Sequence, residues 1–153
     1  MNKVLSDKIQ NRLKELELKF DATNDFIHVG MNIDNVIGKV SLFITTLDNA
    51  ILSYAVLNNK APAEHINGVS EFLHRANHGL IYGNFEIDFE DGEIRYKLVT
   101  NCQEIGNLPN LYIDRSVLLP CQMVQKYGNG IIKLMLGVGA PQNLIEEIEK
   151  SKD

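Results

Sequence analysis

The chain has 153 residues, 44% of them hydrophobic and 23% charged, a composition typical of one globular domain over residues 1–153. Its net charge is −5, and no basic patch is available to neutralise phosphates, which disfavours nucleic-acid binding. No segment approaches the ~18 consecutive apolar residues of a membrane span, and the N-terminal stretch lacks the apolar core of a signal peptide. We therefore expect a cytoplasmic protein without a membrane partner.

Apolar spacing predicts a helix followed by a strand at the start of the chain. Residues at steps of three and four form one stripe of the helix: Leu5, Ile9, Leu13, Leu16 and Phe20. After a polar break at 21–25 the period changes to two, because Ile27, Val29, Met31 and Ile33 alternate with His28, Gly30 and Asn32. This alternation is typical of a half-buried strand.

Two more strands are predicted at 39–47 and 50–57, which are rich in β-branched and aromatic residues. Asp48-Asn49 between them suits a tight hairpin turn. Both faces carry apolar side chains, with Val40, Leu42 and Ile44 on one and Phe43, Tyr54 and Val56 on the other. The pair is therefore expected at the centre of a sheet, or with one face covered by a second subunit.

A second helix is predicted after Pro62, which suits a first-turn position. Its apolar stripe consists of Ile66, Val69, Phe72, Leu73 and Ala76. Gly79 is predicted to take the left-handed conformation just past the helix end.

The charged stretch RANHGLIYGNFEIDFEDGEIRYK, residues 75–97, could be an active site or a structural hairpin. Asp91-Gly92 is typical of a type I′ turn. On one face, that turn pairs Phe89 with Ile94, Ile87 with Tyr96 and Phe85 with Leu98. On the other face, it pairs Asp88 with Arg95 and Glu86 with Lys97. Each strand carboxylate then has a cationic partner, which favours a structural role over general acid catalysis.

The last third of the chain is predicted to be helical. After a loop at 107–110, a helix runs from about Asp114, a suitable N-cap, to about Leu136. Pro120 is expected to kink or restart it, and the run Gly128-Asn129-Gly130 to weaken it. A glycine-rich segment at 137–139 ends it, and Pro141 begins a short helix with Leu144, Ile145 and Ile148 facing inward.

With this order of elements, the 75–97 block resembles the YbjN-like family, which shares the fold of type III secretion chaperones. The matching positions are Arg75-Ala76-Asn77, Gly79, Gly83-Asn84-Phe85-Glu86, Asp91-Gly92-Glu93, Arg95-Tyr96 and Gly139-Ala140-Pro141. His78, where the family usually has an aromatic residue, and the Gly128–Gly130 run depart from its pattern. The resemblance implies an α+β fold with an antiparallel five-stranded sheet (helix, three strands, helix, two strands, helix, short helix), homodimerisation, and a binding or regulatory role without a cofactor.

One candidate metal site is present on the second predicted helix. Glu71, His74 and His78 stand at i, i+3 and i+7 and share a helix face, and both residue types ligate zinc. A small metal-dependent enzyme or sensor is therefore the alternative function. His78 also has a structural explanation, since a cationic group near a helix C-terminus stabilises the helix dipole.

The two cysteines, Cys102 and Cys121, match no metal or redox motif, and neither has a flanking histidine that could activate it. Free thiols in a reducing cytoplasm are expected, and a disulfide only in an exported protein.

The 114–136 helix has more apolar positions than one stripe requires, because Leu118, Leu119, Met123, Tyr127 and Ile132 lie beside or outside the main row. Such a helix must bury a second side. We therefore expect a homodimer with Tyr127, Ile131 and Leu134 at or near the contact. The function predicted is a non-enzymatic protein-binding or regulatory domain, chaperone-like, with a protein or peptide partner.

Overall fold

A computed structural model describes residues 1–150 of the chain. The helices are α1 (Lys3–Glu15), α2 (Ile66–His78), α3 (Asn110–Met135) and α4 (Pro141–Lys150), with a short 3-10 turn at Ile105–Asn107. The strands are β1 (Phe20–Ala22), β2 (Ile27–Asn32), β3 (Lys39–Thr46), β4 (Ala50–Leu57), β5 (Asn84–Ile87) and β6 (Ile94–Asn101). None of these helices combines the length and apolar character needed to cross a bilayer.

The strands of residues 1–150 form one antiparallel sheet of six, in the order β1-β2-β3-β4-β6-β5. As predicted, β3 and β4 are central. Their side chains alternate between buried and half-buried, since the helices pack on the face that carries Val40, Leu42 and Ile44. The α+β class is confirmed.

The prediction of five strands was wrong by one, and β1 is the additional strand. Helix α1 ends at Glu15, and Glu17 takes the left-handed conformation, with a φ of 56°. The N–H of Leu18 then bonds the carbonyl of Leu13 at 3.0 Å and closes the helix. Phe20 therefore pairs with Val29 in the sheet instead of extending the helical stripe. A strand of three residues is too short to show an alternation in the sequence.

The hairpin between β5 and β6 forms, but its predicted register is wrong by two residues. Ile87 lies opposite Ile94, Glu86 opposite Arg95, and Phe85 opposite Tyr96. A shift of two keeps every side chain on its predicted face, because side chains alternate with period two. Phe89 leaves the strand and is exposed, and the predicted pair of Asp88 with Arg95 does not form.

Two aspartates explain the different hairpin turn. The side chain of Asp88 accepts from the N–H of Glu90, and that of Asp91 accepts from the N–H of Glu93. These local bonds favour a longer loop, with residues 89–92 at its tip. Gly92 has a φ of +75°, but Asp91 has no positive φ, so the type I′ turn is excluded.

Helix α3 is continuous from Asn110 through Pro120 to Met135. The predicted N-cap was wrong, because Pro109 occupies that position and Asp114 instead receives two hydrogen bonds from Arg12, at 2.7 and 2.9 Å. The expected left-handed Gly79 was also wrong, since its φ is −96°. The short helix beginning at Pro141 is confirmed.

The Gly128–Gly130 run allows close packing within the chain. A Cβ on Gly128 would lie 2.5 Å from the side chain of Asn35, which donates to the carbonyls of Val124 and Gln125. A Cβ on Gly130 would lie 2.5 Å from the ring of Phe72. The close neighbours of these glycines are therefore side chains of the loop after β2 and of α2.

Candidate functional site

The face of the sheet opposite the helices is uncovered within residues 1–150, and we call it the open face. Its central side chains are half-buried or exposed, whereas their neighbours along each strand are buried. They are His28, Ser41, Phe43, Thr45, Leu52, Tyr54, Val56, Arg95, Lys97 and Val99. An antiparallel sheet with one solvated face normally exposes polar residues there, so the aromatic and aliphatic ones are unusual.

Strand register aligns the central side chains of the open face into a row. His28 lies opposite Phe43, Phe43 opposite Tyr54, and Tyr54 opposite Lys97. Phe26, just before β2, packs against Phe43 with ring centroids 5.5 Å apart and planes at 78°. We call Phe26, Phe43 and Tyr54 the aromatic corner.

The aromatic corner surrounds a depression of about 290 Å³, which Asp25 and Thr45 also line. Thr45 fixes the loop at its rim, because its hydroxyl donates to the carbonyl of Asp25 at 2.7 Å. Thr23 accepts hydrogen bonds from the N–H groups of Asp25 and Phe26. The depression is therefore held by sheet and loop together.

The other end of the open face is charged, with Glu86 and Glu93 beside Arg95 and Lys97. Glu86 pairs with Lys97 and, at 2.8 Å, with Arg95, whose guanidinium also lies 4.6 Å from the centre of the Tyr54 ring. Burial acts to raise the pKa of Glu86, but the hydrogen bonds from Lys97 and Arg95 outweigh it and hold this pKa below its usual value. A carboxylate kept ionised in this way is unsuited to donate a proton, which supports the structural interpretation of the hairpin.

The proposed metal ligands lie together on α2 without forming a binding site. Glu71, His74 and His78 line an open depression beside α4. The carboxylate of Glu71 accepts a hydrogen bond of 2.7 Å from Arg75. Across residues 1–150, no three His, Cys, Asp or Glu side chains are grouped so as to hold a metal ion. The geometry gives the metal-dependent alternative no support.

Both cysteines are buried as free thiols. Burial raises the pKa of the Cys121 thiol to about 12, and it also raises the pKa of Cys102. The nucleophilic form of a cysteine is the thiolate, so both side chains are unsuited to covalent catalysis.

The three residues predicted at or near a contact between two copies lie inside the chain itself. Tyr127, Ile131 and Leu134 are at most 5% exposed, and they lie in the core of the chain itself. The Tyr127 ring packs edge-on against those of Phe72 and Phe85, with centroids 6.3 and 5.6 Å away. The sheet, α2 and α4 bury most of the apolar surface of α3, while Leu118, Leu119 and Met123 stay partly exposed on its outer side.

A second apolar surface lies where the loop between α2 and β5 meets α3, and we call it the α3 groove. Ile81 is 88% exposed there and Tyr82 51%. Leu80, Leu119 and Met123 complete a depression of about 300 Å³. Spacing along the sequence identifies Leu119 and Met123 as extra apolar positions, but loop residues such as Ile81 have no periodic pattern that could reveal them.

Only some residues of the open face could be predicted from the sequence. The alternation of 39–57 correctly placed Phe43, Tyr54 and Val56 together on one face. Asp25 and Phe26 were missed because they lie in a loop, where the spacing of residues does not show which way a side chain points. Arg95 was assigned to a pair with Asp88, so its contact with Tyr54 was missed as well.

No known family profile and no curated protein sequence matches the chain. Among solved structures, the fold is similar to that of YbjN from E. coli, a proposed transcription regulator. The two structures align with a TM-score of 0.61 over 81% of this chain and 91% of YbjN, at 14% sequence identity. The resemblance predicted from residues 75–97 is therefore confirmed at the level of architecture: the chain has a YbjN-like fold.

Proposed function

We propose that this chain is a non-enzymatic, chaperone-like domain that binds a protein segment, acts in regulation as a homodimer, and works in the cytoplasm. The observation that carries the proposal is the open face, whose row of Phe43 and Tyr54 is covered by no helix of residues 1–150. Exposed apolar patches with polar rims are typical of protein-binding surfaces.

The chemistry of the described residues supports binding rather than catalysis. The two thiols are buried, and Glu86 is held ionised between two cations. YbjN, described as a proposed transcription regulator, offers a parallel for a regulatory role, although a shared fold is only an analogy for function.

The two apolar surfaces suggest a division of roles. The open face extends across β2, β3, β4 and β6, which suits a peptide or loop from another protein. The α3 groove lies on the outer side of α3, where Leu119 and Met123 meet Ile81 and Tyr82. We assign contact with a second copy to the α3 groove, which Tyr127 also lines, whereas Ile131 and Leu134 lie in the core.

Light scattering coupled to size exclusion tests the homodimer. The wild-type chain should have twice the mass of one chain at micromolar concentration, and Ile81→Asp should reduce it to that of a monomer. Val4→Asp is the matched control, because Val4 is 56% exposed in the first turn of α1. A monomer mass that persists as concentration rises refutes the homodimer.

Quantitative affinity capture from native cell extract tests the binding role. The wild-type chain is compared with a Phe43→Ser/Tyr54→Ser variant and with Leu136→Ser, which alters a residue that is 71% exposed away from the sheet. Co-purifying proteins should be lost only with the double variant. Equal recovery from all three chains contradicts a role for the open face.

A further inference from the structure

The geometry of the aromatic corner suits a cation. Phe26 and Phe43 meet almost at right angles and form two walls, and Tyr54 lies opposite Phe43 on the neighbouring strand. The depression of about 290 Å³ between them opens to solvent. Aromatic ring faces carry partial negative charge and attract ammonium and guanidinium groups.

The charges around the corner favour the same class of ligand. Asp25 lines the depression. Asp21 lies opposite His28 where β1 pairs with β2, at the adjoining edge of the sheet. Among residues 1–150 neither carboxylate takes part in a salt bridge. At the other end of the open face, by contrast, Arg95 and Lys97 are paired with Glu86. The corner therefore has carboxylates beside it that take part in no salt bridge, in a chain whose net charge is −5.

The open face already contains one contact of the required kind. The guanidinium of Arg95 lies over the ring of Tyr54, 4.6 Å from its centre. This contact comes from the β6 side, while Phe26 remains 38% exposed on the other side of the corner.

We propose that the aromatic corner, with Asp25 at its rim, binds a lysine or arginine side chain of the protein segment that docks on the open face. This inference rests on the proposed function and specifies the chemistry of the partner. The complementary charge selects a basic segment over a second copy of this acidic chain.

The test is a titration of the full chain with N-acetylarginine amide, followed by two-dimensional ¹H–¹⁵N NMR. N-acetylcitrulline amide is the neutral isostere, since citrulline has nearly the shape of arginine without its charge. Arginine should shift the amide signals of residues 25–28, 43–45 and 54, and citrulline should bind at least about fivefold more weakly.

Three variants identify the groups responsible. Asp25→Asn and Phe43→Leu should each weaken arginine binding by about fivefold or more. Asp48→Asn, at an exposed turn that does not line the corner, should leave it unchanged. Asp25 is itself exposed in a loop, so its substitution is informative even if Phe43→Leu disturbs the sheet.

Equal binding of citrulline would show an apolar site and overturn the inference. Equal weakening by Asp25→Asn and Asp48→Asn, or shifts spread over all acidic surfaces, would show non-specific charge attraction and also overturn it. If arginine fails to bind while capture still depends on Phe43 and Tyr54, this inference fails and the proposed function stands. If that dependence is also absent, both fail.

Discussion

The side chain of Asn77 on α2 binds the backbone of Phe85 on β5 with both of its polar atoms. Its oxygen accepts from the Phe85 N–H at 2.7 Å, and its nitrogen donates to the Phe85 carbonyl at 2.9 Å. Strand β5 is an edge of the sheet, and an unpaired edge is a template for pairing with other chains. One amide thus takes the place of a partner strand at the centre of β5.

Replacing Asn77 by alanine should destabilise the fold by about 2 kcal/mol, because two partly buried backbone groups lose their partners. Urea denaturation followed by circular dichroism measures the change. Asn67→Ala is the control, since Asn67 is exposed on the same helix, and this change should have little effect or stabilise the protein slightly. Equal effects of the two substitutions would show that Asn77 acts only through helix propensity.

Gly92→Ala should destabilise the protein by more than about 2 kcal/mol for two reasons. Gly92 has a φ of +75°, and a Cβ there would collide with the carbonyl oxygen of Ala61, whose N–H donates to the Gly92 carbonyl. Gly68→Ala provides the contrast, because Gly68 lies inside α2 with open space around its Cα. It should stabilise the protein by up to about 1 kcal/mol. A Gly92→Ala melting temperature equal to that of the wild type would contradict this account of the turn.

Two buried serines should respond oppositely to alanine substitution. The hydroxyl of Ser53 on β4 has no hydrogen-bond partner in residues 1–150, so Ser53→Ala should be neutral or stabilise by up to about 1 kcal/mol. The Ser116 hydroxyl donates to the carbonyl of Tyr112 at 2.8 Å and bonds the hydroxyl of Thr100 at 2.8 Å, so Ser116→Ala should cost about 1–2 kcal/mol. Chemical denaturation of both variants checks the sign of each change. A clearly destabilised Ser53→Ala would mean that this hydroxyl has a partner after all.

Glu86 should make the protein less stable at acidic pH. Its folded pKa lies below the usual value of 4.5, so the folded state binds fewer protons and the ionised carboxylate stabilises the fold above that pH. This contribution is lost as the pH falls through the folded pKa. The melting temperature of Glu86→Gln should therefore decline less steeply below pH 4.5 than that of the wild type. Melting curves recorded from neutral to acidic pH test this, and parallel declines would exclude Glu86 as a source of the dependence.

The elements that depend on regular spacing could be predicted from the sequence. The period of two in β2, β3 and β4 and the spacing of Val69, Phe72 and Leu73 in α2 were sufficient, because repeated burial on one face leaves a repeated pattern. The faces of the residues that remain in β5 and β6 were also correct, since an error of two residues in register preserves them.

The features decided by single local bonds or by tertiary contacts could not be predicted. The side chains of Asp88 and Asp91 lengthen the β5–β6 turn, and the preference for Asp-Gly turns does not include such bonds. The many apolar positions of α3 correctly indicated that a second side of the helix is buried. Their spacing does not show whether that side is covered by the same chain or by a second subunit. For the same reason Tyr127 was assigned to a dimer contact.

The central claim, that the open face binds a protein segment, is tested most directly by site-specific photo-crosslinking in cells that produce the chain. Tyr54→benzoylphenylalanine places the reactive group on the open face, and Leu136→benzoylphenylalanine places it at a site that is 71% exposed elsewhere. The account predicts discrete adducts with another protein from position 54 and none of these from position 136. The absence of adducts at position 54, or the same adducts from both positions, would contradict it.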